Sequence, residues 1–411
     1  MHVLFLTDNY PPEVNAIATR VYERAAHWVR EGHEVTVVTC FPNFPQGHLY
    51  AGWKQRLYEE QVVDGMRVIR LPTYIARNEG FAKRSLDFLS YLLAVCFAVP
   101  KLPRADVVAA TSPQFFAGLA GLIVAVLKRR PFVLELSDLW PASIRAVGAL
   151  RSGWLLRMLE YLELFLYRRA TEIVVLTPAF KEDLVRRGVP PEKVHTVING
   201  VDLHRYSPRP KDRELVEHWQ LQNKFVVGYV GTHGMAHDLR NALSAAALLR
   251  AEKDICFMFV GDGAEKPMLE QTAREQQLTN VLFLAPQPKA SMPGFWSLCD
   301  VALVHLKNDP VFADVIPSKI FEAMGMGLPL LLVAPEGEAT AIVKRDSAGL
   351  CVPPARPDLL AEAVLRLASD GPMRQTFADR SYNASRKYSR KKQADDMWKV
   401  FARAHQIADS G

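Results

Sequence analysis

The sequence is poor in the residues that build disulfide-stabilised or metal-dependent proteins. Its five cysteines are odd in number, scattered along the chain and mostly embedded in apolar runs, which is typical of buried free thiols and of a reducing compartment. Neither a cluster of metal ligands nor an Asp-x-Asp pair occurs in it. We therefore expect no disulfide framework, and the composition gives no sign of a metal site or of a resident cofactor.

Long apolar runs and a strong charge excess are also missing. The longest apolar run, residues 88–99, contains Ser90 as its one polar residue and is shorter than the ~20 residues of a membrane-spanning helix. Fifty Lys and Arg residues against 44 Asp and Glu residues leave a net charge of +6, which falls short of the charge density of a nucleic-acid-binding protein. We expect a chain that does not cross a membrane and has no nucleic-acid partner.

What the sequence does contain is enough apolar material for large packed cores. The chain has 411 residues, of which 49% are hydrophobic and 23% charged, a size that favours roughly two to four domains. The apolar run from Val3 follows no basic leader and precedes no small-residue cleavage site. We interpret it as a first core strand rather than a signal peptide, and expect a cytoplasmic protein.

Strand-like and helix-like segments alternate along the whole chain. The strand-like runs are apolar on both faces, as parallel strands covered by helices must be. A helical pattern over 15–30 stops before Gly32, and Thr177-Pro178 predicts the start of another helix that ends near Gly188. The predicted strands are 2–7, 34–39, 106–111, 132–136, 172–177, 195–199, 225–230, 255–261, 281–284, 301–306, 329–334 and 350–352. The fold class is α/β, with two Rossmann-like doubly wound domains.

A polar, proline-containing stretch in mid-chain predicts the boundary between the two domains. The alternation breaks after residue 199 and resumes at 225, which gives an N-terminal domain over 1–205 and a C-terminal domain over 206–388. Residues 389–411 read as a final helix that can pack back on the first domain, with the cations of 386–392 as a solvated face. We expect the active site in a cleft at the carboxyl ends of the strands.

Three loops carry candidate chemistry. Residues 7–16 follow the first strand and lead into the first helix, where backbone N–H groups can face a ligand; a proline-stiffened turn without substrate contact is an equal alternative. Residues 228–237 are rich in glycine and precede a helix from about Leu239, so their main-chain amides can approach a diphosphate, although such glycines also occur for packing alone.

The third loop, residues 314–329, places Asp314 before a helix that begins near Ser318 and Glu322 about one turn inside it. Carboxylates can accept hydrogen bonds from sugar hydroxyls, and Lys319 can neutralise a phosphate. Ordinary first-turn residues on an exposed helix would show the same spacing.

Taken together, these motifs resemble family 4 glycosyltransferases over nearly the whole chain. The resemblance rests on the order and spacing of Thr177-Pro178, Asn199-Gly200-Val201-Asp202, the Gly231 loop, Gly261-Asp262-Gly263, Asp314 with Glu322, Gly327-Leu328-Pro329 and Gly349-Leu350-Cys351-Val352. The segments 10–12, 32–37, 137–141 and 317–319 resemble the branch that builds bacterial surface polysaccharides, such as aminosugar transferases of O-antigen synthesis.

The resemblance implies a GT-B fold, retention at the anomeric carbon and no required metal. It implies a nucleotide-sugar donor, with UDP favoured by analogy, a sugar of the HexNAc or deoxy-HexNAc type, and a polyprenyl-diphosphate-linked or other saccharide acceptor. Catalytic roles fall on Asp138, Asp314 and Lys319. Donor binding falls on Gly231, Thr232, His237, Arg240, Gly263, Asp314, Ser318, Lys319 and Glu322, and the acceptor-side loop on Asn15 and Ala16.

Two departures from the family pattern change the expected chemistry. Members carry Glu-x7-Glu where this chain has the shorter Asp314 before Glu322, and many carry Arg and Lys where it has Thr232 and His237. Main-chain amides, with Lys319 or Arg240, must then neutralise the diphosphate. Asp138 can orient the acceptor or stabilise developing charge, or it can be a turn or N-cap residue.

Alternative functions and a membrane role follow from the same segments. A nucleotide-sugar epimerase on the GT-B scaffold, or a non-catalytic sugar-binding subunit, would share the fold. Between residues 74 and 104, aromatic residues alternate with Arg77, Lys83, Arg84, Lys101 and Arg104. We expect this segment to hold the chain peripherally on the inner face of the cytoplasmic membrane, although an all-apolar helix can equally be buried in the core.

Overall fold

The computed structural model describes residues 1–44, 47–75, 81–112, 115–139 and 153–410, without the side chains of 81, 82, 84, 155 and 156. Arg77, the side chain of Arg84, and Trp140-Pro141 of the predicted turn lie outside these residues. The chain forms two compact units, Met1–Ile198 with Arg390–Gly411, and Asn199–Ser389.

The first unit is built on an eight-stranded sheet of order β3-β4-β2-β1-β5-β6-β7-β8. All its neighbouring strands are parallel except β3 and β4. The strands are β1 His2–Leu6, β2 Glu34–Cys40, β3 Glu59–Val63, β4 Met66–Leu71, β5 Val107–Thr111, β6 Phe132–Leu136, β7 Glu172–Val175 and β8 Val194–Thr196. The strands predicted for this half of the chain are present, and the hairpin of β3 and β4 was missed. Its signal was the Asp64-Gly65 turn, in which both residues have positive φ, as two-residue hairpins require.

Helices cover both faces of this sheet. They are α1 Ala16–Arg30, α2 Phe81–Ala98, α3 Phe115–Lys128, α4 Gly153–Arg169 and α5 Pro178–Arg186. Helices α2, α3 and α4 lie in crossovers that each lead to a strand nearer the β8 edge of the sheet, whereas the crossover with α1 leads from β1 toward the β3 edge. Because such crossovers are right-handed, α2, α3 and α4 cover one face of the sheet and α1 covers the other. Asn15 and Thr177 cap α1 and α5 by accepting hydrogen bonds from the N–H groups of Ala18 and Phe180.

The C-terminal helix, α14 (Arg390–Ser410), belongs to the first unit and packs against α1. The Trp28 indole donates a hydrogen bond to the Ala394 carbonyl at 2.9 Å, and Arg390 pairs with Glu23 at 2.8 Å with both side chains largely buried. The prediction that all cations of 386–392 form a solvated face is therefore wrong for Arg390, because its ion pair fastens α14 to α1.

The second unit contains a six-stranded parallel sheet of order β11-β10-β9-β12-β13-β14. Its strands match the predicted ones closely: β9 Phe225–Val230, β10 Ile255–Val260, β11 Val281–Leu284, β12 Val301–His305, β13 Leu330–Val333 and β14 Gly349–Val352. The helices are α6 Arg213–His218, α7 Leu239–Leu248, α8 Lys266–Glu275, α9 Met292–Ser297, α10 Lys319–Gly325, α11 Glu338–Arg345, α12 Pro357–Ser369 and α13 Gly371–Ser385. Chain order reverses between β9 and β12, which makes the gap above these strands the switch point where doubly wound sheets bind ligands.

Candidate active site

The turn after β9 lies directly at this switch point. Gly231 has a φ of +133°, a conformation that side-chain-bearing residues rarely adopt. A Cβ at Gly261, in the adjoining turn after β10, would lie 2.0 Å from the Gly231 carbonyl oxygen, and a Cβ at Gly263 would lie 2.4 Å from the His233 carbonyl oxygen. Glycine is therefore required at both positions because the two turns pack backbone to backbone.

This packing uses main-chain groups that we expected to meet the diphosphate. The Gly231 N–H donates to the Val260 carbonyl at 2.9 Å, and the His233 N–H donates to the Asp262 carbonyl at 2.8 Å. Neither amide is left to bind an anion. The expectation that the amides of this loop replace the missing family cations is wrong for these two residues.

A buried amine lies beneath the same turn. Lys319 begins α10, the residue is 9% exposed, and its Nζ has no hydrogen-bond partner in the part of the chain that the structure describes. Nζ lies 3.8 Å from the centroid of the Tyr229 ring and would be 3.1 Å from a Cβ placed on Gly231. Burial lowers the pKa of Lys319 to about 7, and the attraction of Glu322 offsets this only in part. A phosphate oxygen would supply the acceptor that this amine lacks.

The histidines near Lys319 are held neutral. Burial, together with the nearby lysine charge, lowers the pKa of His233 to about 4 and that of His237 to about 3. His237 lies 3.1 Å through Nδ1 from the His305 carbonyl, so Nδ1 carries the proton and Nε2 has a lone pair. His237 therefore positions the loop as a neutral ring at pH 7, before the charge of any bound diphosphate is considered.

The remaining predicted donor residues divide by exposure. Thr232 and Arg240 are exposed, and Gly263 is half-buried in the turn after β10. Arg240 lies in the first turn of α7, which begins at Leu239 as predicted. Ser318 is the N-cap residue of α10, but its side chain accepts no capping hydrogen bond from that helix.

The two carboxylates of the third loop occupy the predicted local structure. Asp314 ends a short 3-10 helix over Pro310–Asp314, and Glu322 lies in the first turn of α10. The Trp296 indole donates a hydrogen bond to Glu322 at 3.3 Å, which fixes that carboxylate. Asp314 and Glu322 are both half-buried. Because Lys319 is buried and Glu322 half-buried, the interpretation of these two as ordinary residues of an exposed helix does not hold.

Sequence reasoning missed a second lysine at this sheet edge. Lys266 begins α8, and its Nζ donates hydrogen bonds of 2.8 Å to the carbonyls of Gly261 and Leu284. It thereby ties together the ends of β10 and β11. Its place three residues after Gly263, at a helix start, was the available signal.

In the first unit, the loop after β1 is organised by a buried carboxylate. Glu13 is 3% exposed and accepts hydrogen bonds from the N–H groups of Asn43 and Phe44, each at 2.8 Å, and from that of Tyr10. Burial raises the pKa of Glu13 to about 7 although these donors oppose the rise. Asn15 is the N-cap of α1, and Ala16, the first residue of α1, is exposed.

Asp138 lies next to a buried ion cluster. Arg24 binds Glu135 through two hydrogen bonds of 2.8 and 2.7 Å, and Arg20 bridges Glu135 and Ser137. Burial alone would raise the pKa of Glu135, but the two arginines lower it to about 2. The turn that carries the half-buried Asp138 is therefore anchored to α1 through Ser137.

Metal-ligand side chains do not gather in the described ranges. Between residues 1 and 410, outside the gaps given above, no group of three or more His, Cys, Asp and Glu residues is placed to hold a metal ion. Metal independence stays a prediction.

Two Rossmann-like units in one chain, with a buried amine under a glycine turn at the switch point of the second, are the architecture of the GT-B fold class. Comparisons with known proteins agree. Residues 15–200 match the "Glycosyl transferase 4-like domain" model and residues 211–384 match "Glycosyl transferases group 1". The chain belongs to the family 4 glycosyltransferases.

Individual relatives are distant in sequence but span most of the chain. The putative colanic acid biosynthesis glycosyl transferase WcaI of Escherichia coli K12 is 25% identical over 80% of this chain and 82% of its own length. A GDP-mannose-dependent alpha-mannosyltransferase of Mycobacterium tuberculosis (strain CDC 1551 / Oshkosh) is 25% identical over 86% and 84%. The crystal structure of Anabaena HepE with UDP-glucose superposes with a TM-score of 0.72 at 18% identity, over all of both chains, which supports the fold.

Proposed function

We propose that this enzyme moves a HexNAc or deoxy-HexNAc residue from a UDP-linked donor to a lipid-linked saccharide, with retention of anomeric configuration, during synthesis of a bacterial surface polysaccharide. The similarity to WcaI, whose name refers to colanic acid synthesis, supports the pathway class. The UDP-glucose bound to HepE supports uridine as the nucleotide, whereas the GDP-mannose-dependent relative makes guanosine the alternative to test.

The buried amine of Lys319 carries the proposal. A largely desolvated Nζ without a hydrogen-bond partner is costly unless a ligand compensates it. Its position beneath the Gly231 turn is where the diphosphate of a donor would meet the switch point. Lys319 would then neutralise the leaving diphosphate as the bond to the sugar breaks.

The catalytic requirement is charge stabilisation rather than an enzymic nucleophile. Positive charge grows on the sugar ring while the diphosphate departs, and each tenfold gain in rate needs about 1.4 kcal/mol of differential stabilisation. One preorganised donor directed at charge that develops in the transition state is worth about two to three powers of ten in rate. Turnover should therefore fall steeply when the amine of Lys319 is removed.

The carboxylates are assigned to the sugar and the ribose. Asp314 would accept hydrogen bonds from donor-sugar hydroxyls, and Glu322, oriented by Trp296, would hold the ribose. Gly231, Thr232, Gly263 and Ser318 would line the donor site, with Arg240 as an outer cation.

Acceptor recognition is assigned to the first unit. Asn15 and Ala16 start α1 at the carboxyl end of β1, and Asp138 follows β6 on a turn anchored through Arg20. Hydroxyl groups of a saccharide suit such a helix start and carboxylate. Asp138 would orient the acceptor hydroxyl or stabilise the developing charge.

A peripheral position on the inner face of the cytoplasmic membrane completes the proposal. No helix in the described part of the chain is long and apolar enough to span a bilayer. Helix α2 nevertheless exposes Leu86, Leu93 and Phe97 along one side, with Lys83 exposed near its start. Exchanging Lys83 for Glu should weaken binding to anionic vesicles; unchanged binding would remove α2 from the membrane contact.

The decisive assay is release of free nucleotide from a panel of UDP- and GDP-sugars, with and without a polyprenyl-diphosphate-linked saccharide. Acceptor-dependent release supports a transferase of this specificity. Conversion of the donor without acceptor would instead support an epimerase, and no turnover with any donor would support a non-catalytic subunit. Lys319→Ala should lower kcat at least tenfold with circular dichroism unchanged, and an unchanged kcat would remove Lys319 from the mechanism.

A further inference from the structure

Helix α4 exposes an unusually apolar side. Trp154 is 67% exposed and Tyr161 is 70% exposed, and Met158, Leu162 and Phe165 are also exposed. The spacing of these five residues repeats that of successive helical turns, so they form one continuous stripe along α4. Single exposed apolar residues are ordinary, but a contiguous stripe indicates a surface that another apolar phase covers.

Positive charge accompanies the stripe. Arg157 lies one turn before Tyr161, Arg168 lies two turns after it, and all of Arg157, Arg168 and Arg169 are exposed. The guanidinium carbon of Arg169 lies 5.5 Å from the centroid of the Phe165 ring, within cation–π distance.

The acidic residues of α4 do not offset these arginines at the surface. Glu163 is 2% exposed and engaged by Arg187 and Tyr167 within the unit. Glu160 is half-buried. The exposed charge beside the stripe is therefore predominantly positive.

The stripe continues an apolar surface on the same face of the sheet. Helix α3 packs against both α2 and α4, and it exposes Val126 and Leu127 at its end. Beyond it, α2 presents Leu86, Leu93 and Phe97. The opposite face of the sheet is covered by α1 and α14.

We propose that the α4 stripe is a second bilayer-contact surface, with Trp154, Tyr161 and Phe165 inserted at the headgroup level of an anionic membrane and the three arginines held by lipid phosphates. Tryptophan and tyrosine are the residues preferred at that level, and flanking arginines favour anionic lipid. A symmetric pair of chains would bring the exposed arginines of both α4 helices into one interface, where the acidic residues of α4 are half-buried or buried and cannot offset them, which disfavours a second copy as the occupant. An enzyme that acts on a lipid-linked acceptor needs a surface that holds it at the bilayer. The proposed bilayer contact therefore rests on the proposed function.

Flotation of the full chain with liposomes tests this contact. Vesicles of 30% phosphatidylglycerol in phosphatidylcholine should bind the wild type, and pure phosphatidylcholine should bind it at least tenfold more weakly. The Trp154→Ser/Phe165→Ser double variant should lose at least tenfold in affinity for the anionic vesicles. Arg168→Gln/Arg169→Gln should lose much of the preference for anionic lipid and its dependence on salt.

Matched controls separate the stripe from general hydrophobicity and from misfolding. Ile407→Ser on α14 and Leu248→Ser on α7 remove exposed apolar residues elsewhere and should leave flotation unchanged. All variants should keep the wild-type melting temperature and UDP affinity in solution. UDP binding is measured without vesicles. Failure of the proposed function would therefore appear as a loss of UDP binding, and failure of the bilayer contact would appear only in flotation.

Three results would overturn the proposal. The first is flotation of the Trp154→Ser/Phe165→Ser variant equal to that of the wild type. The second is absence of binding to phosphatidylglycerol vesicles. The third is sedimentation velocity showing a wild-type dimer that the double variant dissociates, which would assign the stripe to self-association.

Discussion

Replacing Lys319 by methionine should make the second unit more stable and less able to bind its donor. Folding lowers the pKa of Lys319 from 10.5 to about 7 through burial. At about 1.4 kcal/mol per pKa unit, keeping this amine in place costs the folded state about 4 kcal/mol at pH 7 and about 5 kcal/mol well below it. Methionine has similar length and no charge, so Lys319→Met should raise the free energy of unfolding at pH 7 by roughly 2–4 kcal/mol.

The sign of the pH dependence identifies this cause. Between pH 7 and about 10 the unfolded chain keeps a proton on Lys319 that the folded chain releases, so the stability of the wild type rises with pH in this window. The advantage of Lys319→Met should accordingly shrink by about 1.4 kcal/mol per pH unit. Urea denaturation of both proteins at pH 7 and pH 9 measures the difference in the free energy of unfolding. The transition to follow is the one that added UDP shifts to higher urea, because that transition belongs to the second unit. The control is Lys253→Met, which replaces an exposed lysine of the same unit.

Donor binding should reverse the pKa shift. A diphosphate beside Nζ favours the charged amine, so binding of UDP at pH 8 should take up close to one proton in the wild type and none in Lys319→Met. Calorimetry in two buffers of different ionisation enthalpy measures this uptake. A stability difference that stays constant from pH 7 to pH 9, together with no proton uptake, would refute the buried-amine explanation.

Other substitutions test separate parts of the structure. Gly231→Ala should destabilise the fold by about 1–3 kcal/mol and weaken UDP binding, because φ is +133° and the new Cβ would lie 3.1 Å from Nζ of the buried lysine. The control is Gly234→Ala, whose Cβ would meet only a methyl group at 3.5 Å and which should change neither stability nor UDP binding. Thermal melting measures the stability of both variants, and calorimetry measures their UDP affinity. Glu322→Ala should raise KM for the nucleotide sugar at least tenfold with a smaller change in kcat. An unchanged KM would show that this carboxylate does not bind the donor. Arg24→Met should cost about 3–5 kcal/mol in urea denaturation, because it strips a bidentate partner from the buried Glu135; a loss below about 1 kcal/mol would contradict the importance of that pair.

The fold was predictable because its signals are local. Apolar runs of strand length, glycine at helix ends and the Thr177 cap each act within a few residues. The hairpin of β3 and β4 was not predicted because β3 is half exposed and carries polar residues, so its sequence does not stand out as an apolar strand. Only the Asp64-Gly65 turn indicated the hairpin.

The residues of the candidate site were predictable from the sequence, but their burial and protonation states were not. Lys319, Asp314 and Glu322 stand out by spacing, yet nothing local tells that the lysine is buried over Tyr229 or that His237 stays neutral. Those properties arise from packing between β9, β12 and α10, which are far apart in the sequence. Pairing of the Gly231 amide with β10 is likewise a long-range contact that no motif records.

The most direct test of the central claim is calorimetric comparison of UDP with UMP at pH 7, on the wild type and on Lys319→Met. If Lys319 meets the diphosphate, UDP should bind the wild type at least tenfold more tightly than UMP, and the substitution should bring the two affinities together. Equal affinity of the wild type for UDP and UMP, or a UDP affinity that survives the substitution, would contradict it.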